Sequence, residues 1–336
     1  ISLRRTTEMA DEEDVDPEQA AAMKGMMQGV VADMGYLSTE LKPQPEDPDA
    51  PITFGKVVGA LAGCPSLADV GAECSTESIT SIASALSDVV DAAALDYEEP
   101  VRTNALLIYW QLNRERPGLK DAAELGEGTS RQASTALQKC VKLLIQAQML
   151  MPQQRWMQQT LAVARASALV ANSLWSHSEE AAVKAMTHIL EGDGLRSPQL
   201  ELSASASPKD APDLSEEGCA VLPKTLVEIS VVLERKHWGG AEDAKVTNNQ
   251  GIFEAYWLYI EGQKPKGTQN SMIAAQPMVV KDVDMKTVEA KVVFQAPPTP
   301  GKFRLTVHTL STSVIGIELS QDVEFEVLED DVPELA

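Results

Sequence analysis

The stretch Pro223-Lys-Thr-Leu-Val-Glu-Ile-Ser-Val-Val-Leu-Glu-Arg235 indicates the fold of the second half of the chain. Apolar residues occupy its alternate positions, at Val227, Ile229, Val231 and Leu233. A period of two is typical of a strand with one buried face. The alternation recurs in residues 321–328, and further short strands are predicted at 252–261, 276–281, 287–294 and 302–310. Because residues 223–330 contain no cysteine, the pattern predicts an antiparallel immunoglobulin-like β-sandwich of the fibronectin-type-III kind.

Upstream of this region, residues 52–195 follow a helical period. One predicted helix carries apolar residues three and four positions apart, at Ile79, Ile82, Leu86 and Val90. The predicted fold class is therefore α+β as separate domains, with an all-α helical bundle (52–195) followed by the sandwich (223–330). Residues 1–51 are predicted to form an acidic leader plus one helix, and residues 331–336 a short acidic tail. Residues 196–222, rich in Ser, Ala and Pro, are predicted to be a flexible linker.

The chain is strongly acidic, with a formal net charge of −22 and a sequence pI near 4.6. Such a surface repels nucleic-acid phosphates and anionic lipid headgroups, so neither is predicted as a partner. It suits a basic protein partner, because complementary fields favour encounter. The alternative, that the acidity serves only solubility, stays open on composition alone.

The cysteine content and the start of the sequence bear on the cellular compartment of the protein. Four scattered cysteines in 336 residues are typical of a reducing compartment. No apolar run approaches the ~20 residues that span a bilayer, and the sequence begins at Ile1 with neither an initiator Met nor a signal peptide. We therefore expect a fragment, or a partial gene model, of a longer protein, and the sequence leaves open whether membrane spans lie upstream.

The sequence offers little for catalysis. The four histidines are His177, His188, His237 and His308. The first two would lie roughly 16 Å apart on one helix at ~1.5 Å rise per residue, too far apart to share a metal ion. His308 is expected to face solvent, and no motif for phosphate, dinucleotide or zinc chemistry occurs. No catalytic residue, cofactor or metal site is predicted, and the protein is expected not to be an enzyme.

Three segments of the second half carry a family resemblance. They are Tyr256-Trp-Leu-Tyr-Ile260, Phe294-Gln-Ala-Pro-Pro-Thr-Pro-Gly-Lys-Phe303 and Ser311-Thr-Ser-Val-Ile-Gly316. In order, they resemble the Trp-Leu-hydrophobic, Phe-x-Ala-Pro-x-x-Gly-x-aromatic and Ser-Asp-Ser-aromatic-x-Gly motifs of the C-terminal module of the Sec sixty-three family. Thr312 and Val314 depart from the last motif. In the helical half, Asn104-Ala-Leu-Leu-Ile-Tyr-Trp110 and Ala168-Leu-Val-Ala-Asn-Ser-Leu-Trp-Ser-His177 follow in the family's order, so the resemblance covers roughly residues 52–330 with gaps.

The resemblance implies a non-enzymatic scaffold subunit of the protein-translocation machinery of the endoplasmic reticulum (ER). It would lie on the cytosolic face of the membrane and dock on the protein-conducting channel and its associated subunits, supporting mainly post-translational import. A lumenal Hsp70 chaperone would be an indirect partner through an upstream J-domain, because no His-Pro-Asp triplet occurs here. The alternative is the buttressing module of a DExH-type RNA helicase, and an unrelated adaptor is a third possibility.

Site residues are predicted in two groups. The first is a partner-facing row of acids on the last strand, formed by Asp322, Glu324 and Glu326; charge reversal of all three is expected to weaken channel binding. The second contains motif residues with structural roles: Trp257, Phe294, Pro297, Gly301, Phe303 and Gly316. Trp257 is expected to fill the core between the sheets, and Gly316 to permit a bulge or tight bend. The loops Gly262–Asn270 and Ser311–Glu318 are expected to be exposed contact regions.

Overall fold

The structure, a computed structural model, describes residues 17–114, 127–175, 178–192, 195, 197–209, 219–237, 254–265, 268–281 and 285–329. For residues 17–23 only the backbone is described. The acidic leader before Pro17, His177 and the acidic tail 331–336 lie outside the described residues.

Eight α-helices occupy the first part of the described chain. They are α1 (Pro17–Glu40), α2 (Phe54–Ala62), α3 (Thr76–Ala85), α4 (Ala92–Leu95), α5 (Val101–Asn113), α6 (Glu127–Leu150), α7 (Met157–Ala171) and α8 (Glu179–Gly192). Short polar side chains start two of them: Thr53 Oγ1 accepts from Lys56 N at 3.2 Å, and Ser75 Oγ accepts from Ser78 N at 3.1 Å. A 3₁₀ turn at Met151–Gln154 contains Pro152 and separates α6 from α7.

Helix α5 lies at the centre of the helical region. All its residues from Asn104 to Asn113 are buried, which a helix achieves only when neighbours cover every side. Leu107, Ile108 and Tyr109 pack within a core shared with α2 and α6. The Nδ2 of buried Asn104 donates to Ala62 O at 3.1 Å and to Leu67 O at 3.0 Å, whereas its Oδ1 accepts no hydrogen bond from the described residues.

Eight strands follow the helices in the described chain. They are β1 (Leu200–Pro208), β2 (Cys219–Val221), β3 (Leu226–Arg235), β4 (Ala255–Gly262), β5 (Ser271–Val279), β6 (Thr287–Gln295), β7 (Gly301–Ser311) and β8 (Glu318–Val327). One sheet has the order β1-β3-β6, and the other has the order β2-β8-β7-β4-β5. All pairs are antiparallel except β2 with β8, which run parallel.

The predicted alternation of buried and exposed residues is confirmed in two strands. Val227, Ile229, Val231 and Leu233 of β3 are buried, as are Val323, Phe325 and Val327 of β8. Both sheets contribute to one apolar core. The Gln321 side chain of β8 links them, because its Oε1 accepts from Ala204 N at 2.9 Å and its Nε2 donates to Ala204 O at 3.3 Å.

The predicted fold class, a helical bundle followed by a separate antiparallel immunoglobulin-like sandwich, is wrong. The five-stranded sheet is mixed, and helices and sheets form one intermixed α+β structure. Met157, Leu161 and Ala164 of α7 share an apolar cluster with Tyr259 of β4 and Leu310 of β7. A hydrophobic period reveals that a face is buried but not what buries it, so the sequence pattern did not distinguish contacts between strands from contacts with a helix.

The region predicted as a flexible linker differs from that prediction as well. Residues Leu200–Pro208 form β1, paired along its length with β3 from Leu200↔Arg235 to Pro208↔Val227. Small polar residues suggested flexibility, whereas backbone pairing and the packing of Ala206 hold this segment in the sheet.

Candidate partner-binding surfaces

The predicted acidic row lies on the outer face of the five-stranded sheet, with Asp322, Glu324 and Glu326 all exposed. The neighbouring strand carries bases opposite two of them, in the pairs Arg304↔Glu324 and Lys302↔Glu326. Asp322 bonds with the Arg304 guanidinium and accepts from Thr306 Oγ1 at 2.7 Å. The hydrogen bonds from Thr306 and Arg304 lower the pKa of the Asp322 carboxyl. Asp322 is therefore held within the sheet, whereas Glu324 and Glu326 make no ion pair with any residue described.

Trp257 does not fill the core between the sheets, and this expectation is wrong. Tyr256, Leu258 and Ile260 of β4 point into that core. Trp257 therefore points to the opposite side, where it packs with the α7 cluster and stacks on Tyr259 at a ring-centroid distance of 5.9 Å. Trp257, which matched the family motif, therefore packs where β4 contacts α7.

Three other motif residues meet at an open groove at one end of the sheets. Phe294, Pro297 and Phe303 line a cavity of about 650 Å³, together with Phe325 of β8. Phe325 lies 5.8 Å from Phe294 and 5.4 Å from Phe303 between ring centroids. Gly301, at the start of β7, has φ +143°, a backbone conformation that suits glycine.

The groove has a positive lining in an acidic protein. Arg155, Lys264 and Arg304 line it, and no Asp or Glu among the described residues does. Arg304 is paired with Asp322, but Arg155 and Lys264 make no ion pair within the described part of the chain. Arg155 ends the turn after α6 in the left-handed conformation, with φ 59° and ψ 24°. Composition did not reveal this groove, because its cations come from segments that lie far apart in the sequence.

The loop Ser311–Glu318, expected to be exposed, instead joins the sheet to the helices. Val314 and Ile315 are buried against Leu169 of α7 and Met186 of α8. Asn172 Nδ2 donates to Ser313 O at 2.9 Å, and Arg165 binds Glu318 with both nitrogens at 2.6 and 2.8 Å. Most of this loop therefore makes contacts with α7 and α8 within the molecule.

Gly316 sits where that loop comes closest to α8. Its φ is +82°, so the predicted tight bend is confirmed. A Cβ atom at this position would lie 2.5 Å from Val183 Cγ2 of α8. Glycine is required here both by the backbone conformation and by the close approach.

The loop Gly262–Asn270, described except for residues 266–267, is more open and lies beside the groove. Gly262, Gln263, Lys264 and Pro265 contribute to the groove wall. Asp49, in the Pro-rich segment between α1 and α2, accepts from Asn270 N at 3.2 Å through both carboxylate oxygens. The N-terminal part of the chain therefore supports this wall.

The histidines and buried charges have structural explanations. His308 does not face solvent, since its side chain is 13% exposed and its Nε2 lies 3.1 Å from Glu261 Oε2.

Arg235 and Glu254 form a buried pair at 2.7 Å, with side chains 1% and 6% exposed. Burial disfavours the ionised Glu254, but the hydrogen bonds from Arg235 and Tyr256, together with the nearby His237 at 3.6 Å, outweigh it and lower the pKa of this carboxyl. Among the described residues no group of His, Cys, Asp or Glu is arranged to hold a metal ion.

Comparisons with known proteins assign no family. No protein-family model and no curated protein match the chain. Its structure is similar to that of Pseudomonas fluorescens alkylpurine DNA glycosylase AlkC bound to DNA containing an abasic site analogue, with 10% identity, 94% of this chain and 84% of that chain covered, and a TM-score of 0.23. A family 123 glycoside hydrolase from Clostridium perfringens is 12% identical, with 38% of this chain and 28% of that chain covered and a TM-score of 0.22. Listeria innocua β-glucosidase in complex with glucose is also 12% identical, with 39% of this chain and 17% of that chain covered and a TM-score of 0.22.

The chain spans less than a third of the length of each of these two glycosidases. TM-scores this low carry no argument about fold or activity. Within the described part of the chain, no helix is both long and apolar enough to cross a membrane.

Proposed function

We propose that this chain is a non-enzymatic scaffold that docks on the cytosolic face of the ER protein-conducting channel. In this proposal it belongs to the protein-translocation machinery, and upstream segments of the full protein supply the membrane spans and the J-domain that recruits a lumenal Hsp70. The resemblance to the Sec sixty-three family across both halves of the chain motivates the proposal.

The observation that carries it is the pair of exposed carboxylates Glu324 and Glu326 on β8, which make no ion pair with any residue described although Arg304 and Lys302 lie opposite them. They lie on a paired strand whose alternate side chains are buried, so their spacing is set by the sheet. Two negative charges on adjacent outward positions of one strand suit a basic loop of a partner, because complementary charges favour encounter and orient the contact. Asp322 contributes less to the contact, since Arg304 already neutralises it.

The test is recovery of the channel from detergent-solubilised ER membranes, with residues 1–336 as bait at low and high salt. We expect the channel subunits to be recovered at low salt and lost as salt rises, because screening weakens contacts between exposed charges. The double variant Glu324→Lys with Glu326→Lys is expected to lose most of this recovery.

The matched control reverses two other exposed acids that make no ion pair with any residue described, Glu191→Lys on α8 with Glu289→Lys on β6. It makes the same change in net charge, so it should recover the channel as the wild type does. Equal loss in both variants would mean that only overall charge matters and would contradict a contact at β8. Recovery of RNA-bound proteins without the channel would overturn the proposal in favour of the helicase-buttress alternative.

A further inference from the structure

We propose that the groove between β5, β6 and β7 binds an extended acidic peptide segment that carries large apolar side chains. This surface has the opposite charge to the β8 acids. The inference does not depend on the channel being the partner of those acids.

The groove offers apolar surface to such a peptide. Phe294, Phe303 and Phe325 supply aromatic rings, and Pro297 and Ile273 line the same cavity. Phe294 and Phe303 are only partly buried, so part of each ring is available to a ligand. A leucine or phenylalanine side chain of the ligand would be removed from water there, which favours binding.

The charge of the groove selects an anionic ligand. Arg155 and Lys264 lack ion-pair partners in the described structure, whereas the charge of Arg304 is already paired with Asp322. Three nearby acids are engaged: Glu261 with His308, Asp322 with Arg304 and Thr306, and Asp49 with Asn270 N. In a protein of net charge −22, two unpaired cations on a wall whose described residues include no acid are a local reversal of sign, and the wall would repel basic segments.

The shape of the surface favours an extended peptide. A second cavity of about 480 Å³ shares Arg155, Met272 and Ile273 with the groove, so the two adjoin at β5. This second cavity is lined by Met149, Trp257 and Pro277, and it lies along β5. β5 is an edge strand whose nine residues are all uncharged. A peptide lying along an edge strand places alternate side chains on opposite sides, where the two cavities would receive them.

The test is fluorescence anisotropy of residues 1–336 with a fluorescein-labelled peptide of sequence Asp-Glu-Leu-Asp-Glu-Phe-Asp-Glu-Leu-Asp. We expect saturable binding that weakens as salt rises. Two control peptides, one with Lys in place of every acid and one with Ser in place of Leu and Phe, are expected not to bind. Their failure would show that both charge and apolar side chains are recognised.

Two protein variants locate the site. Arg155→Glu with Lys264→Glu is expected to weaken the acidic peptide about tenfold or more, equivalent to ~1.4 kcal/mol. Lys142→Glu with Lys184→Glu, exposed on α6 and α8, makes the same charge change elsewhere and should bind as the wild type does. Absence of binding, equal binding of the Lys or Ser peptide, or equal weakening in both variants would each overturn the proposal. All four changed side chains are exposed, and a thermal unfolding curve checks that each variant is folded.

Discussion

At the residue scale, the buried Arg235–Glu254 pair is the feature with the sharpest energetic consequence. Arg235 donates to Glu254 from Nε and Nη2, and its Nη1 donates to Met285 O at 2.6 Å. Tyr256 OH also donates to this carboxylate. The site joins the end of β3 to the starts of β4 and β6, so a charge left unpaired here would destabilise both sheets.

We expect Glu254→Gln to lower the free energy of unfolding by about 3 kcal/mol near neutral pH, because Arg235 keeps its charge in a buried site. The pKa of Glu254 is lowered from its ordinary value of 4.5. Its carboxylate therefore stabilises the fold above that ordinary value, and the stabilisation is lost as pH falls through the lowered pKa. Urea unfolding at several pH values should show the difference between wild type and variant shrinking in acid. A difference that does not change with pH would contradict this role.

At the element scale, the joint between the β7–β8 loop and α8 depends on close approach at Gly316. We expect Gly316→Ala to destabilise the protein by about 1–3 kcal/mol, because φ +82° is unfavourable for alanine and its Cβ would meet Val183. The second variant Val183→Ala removes the clashing methyl groups. The double variant should therefore lose less stability than the sum of the two single variants, and strict additivity in urea unfolding would argue against the contact.

At the scale of the whole molecule, the two halves bury part of their apolar surface against each other. Tyr259, Met272 and Leu310 on the sheet are covered by Met157 and Leu161 of α7. Removing the helices would return this surface to water at a cost of about 25 cal/mol per Å². The strand half is therefore not expected to be an independent unit.

We predict that residues 197–336 expressed alone bind a hydrophobic dye and unfold at lower urea than the same strands in the intact chain. Dye fluorescence measures the dye binding, and near-ultraviolet circular dichroism measures the unfolding in urea. As a comparison in the intact chain, Leu161→Ala is expected to lower the unfolding midpoint of the helical and sheet signals together. An isolated strand half as stable as the intact chain would show that the joint contributes little.

The sequence by itself determined local secondary structure and which face of a strand is buried. Alternation at Val227–Leu233 and Val323–Val327 predicted strands with the correct buried faces, because side chains on a strand point to opposite sides in turn. The three- and four-residue spacing of Ile79, Ile82, Leu86 and Val90 predicted a helix where α3 forms, although α3 ends at Ala85, before the last two of these residues. The exposure of Asp322, Glu324 and Glu326 followed from the same alternation.

Only the tertiary structure decided what each face packs against. Trp257 was expected between the sheets and lies toward α7, and the Ser311–Glu318 loop was expected at the surface and is held by Arg165 and Asn172. The groove likewise brings together Arg155, Lys264 and Phe294, residues from three distant segments. The physical reason is that hydrophobic burial is non-directional: a periodic pattern specifies which face leaves water, while the covering partner depends on contacts between residues far apart in the chain.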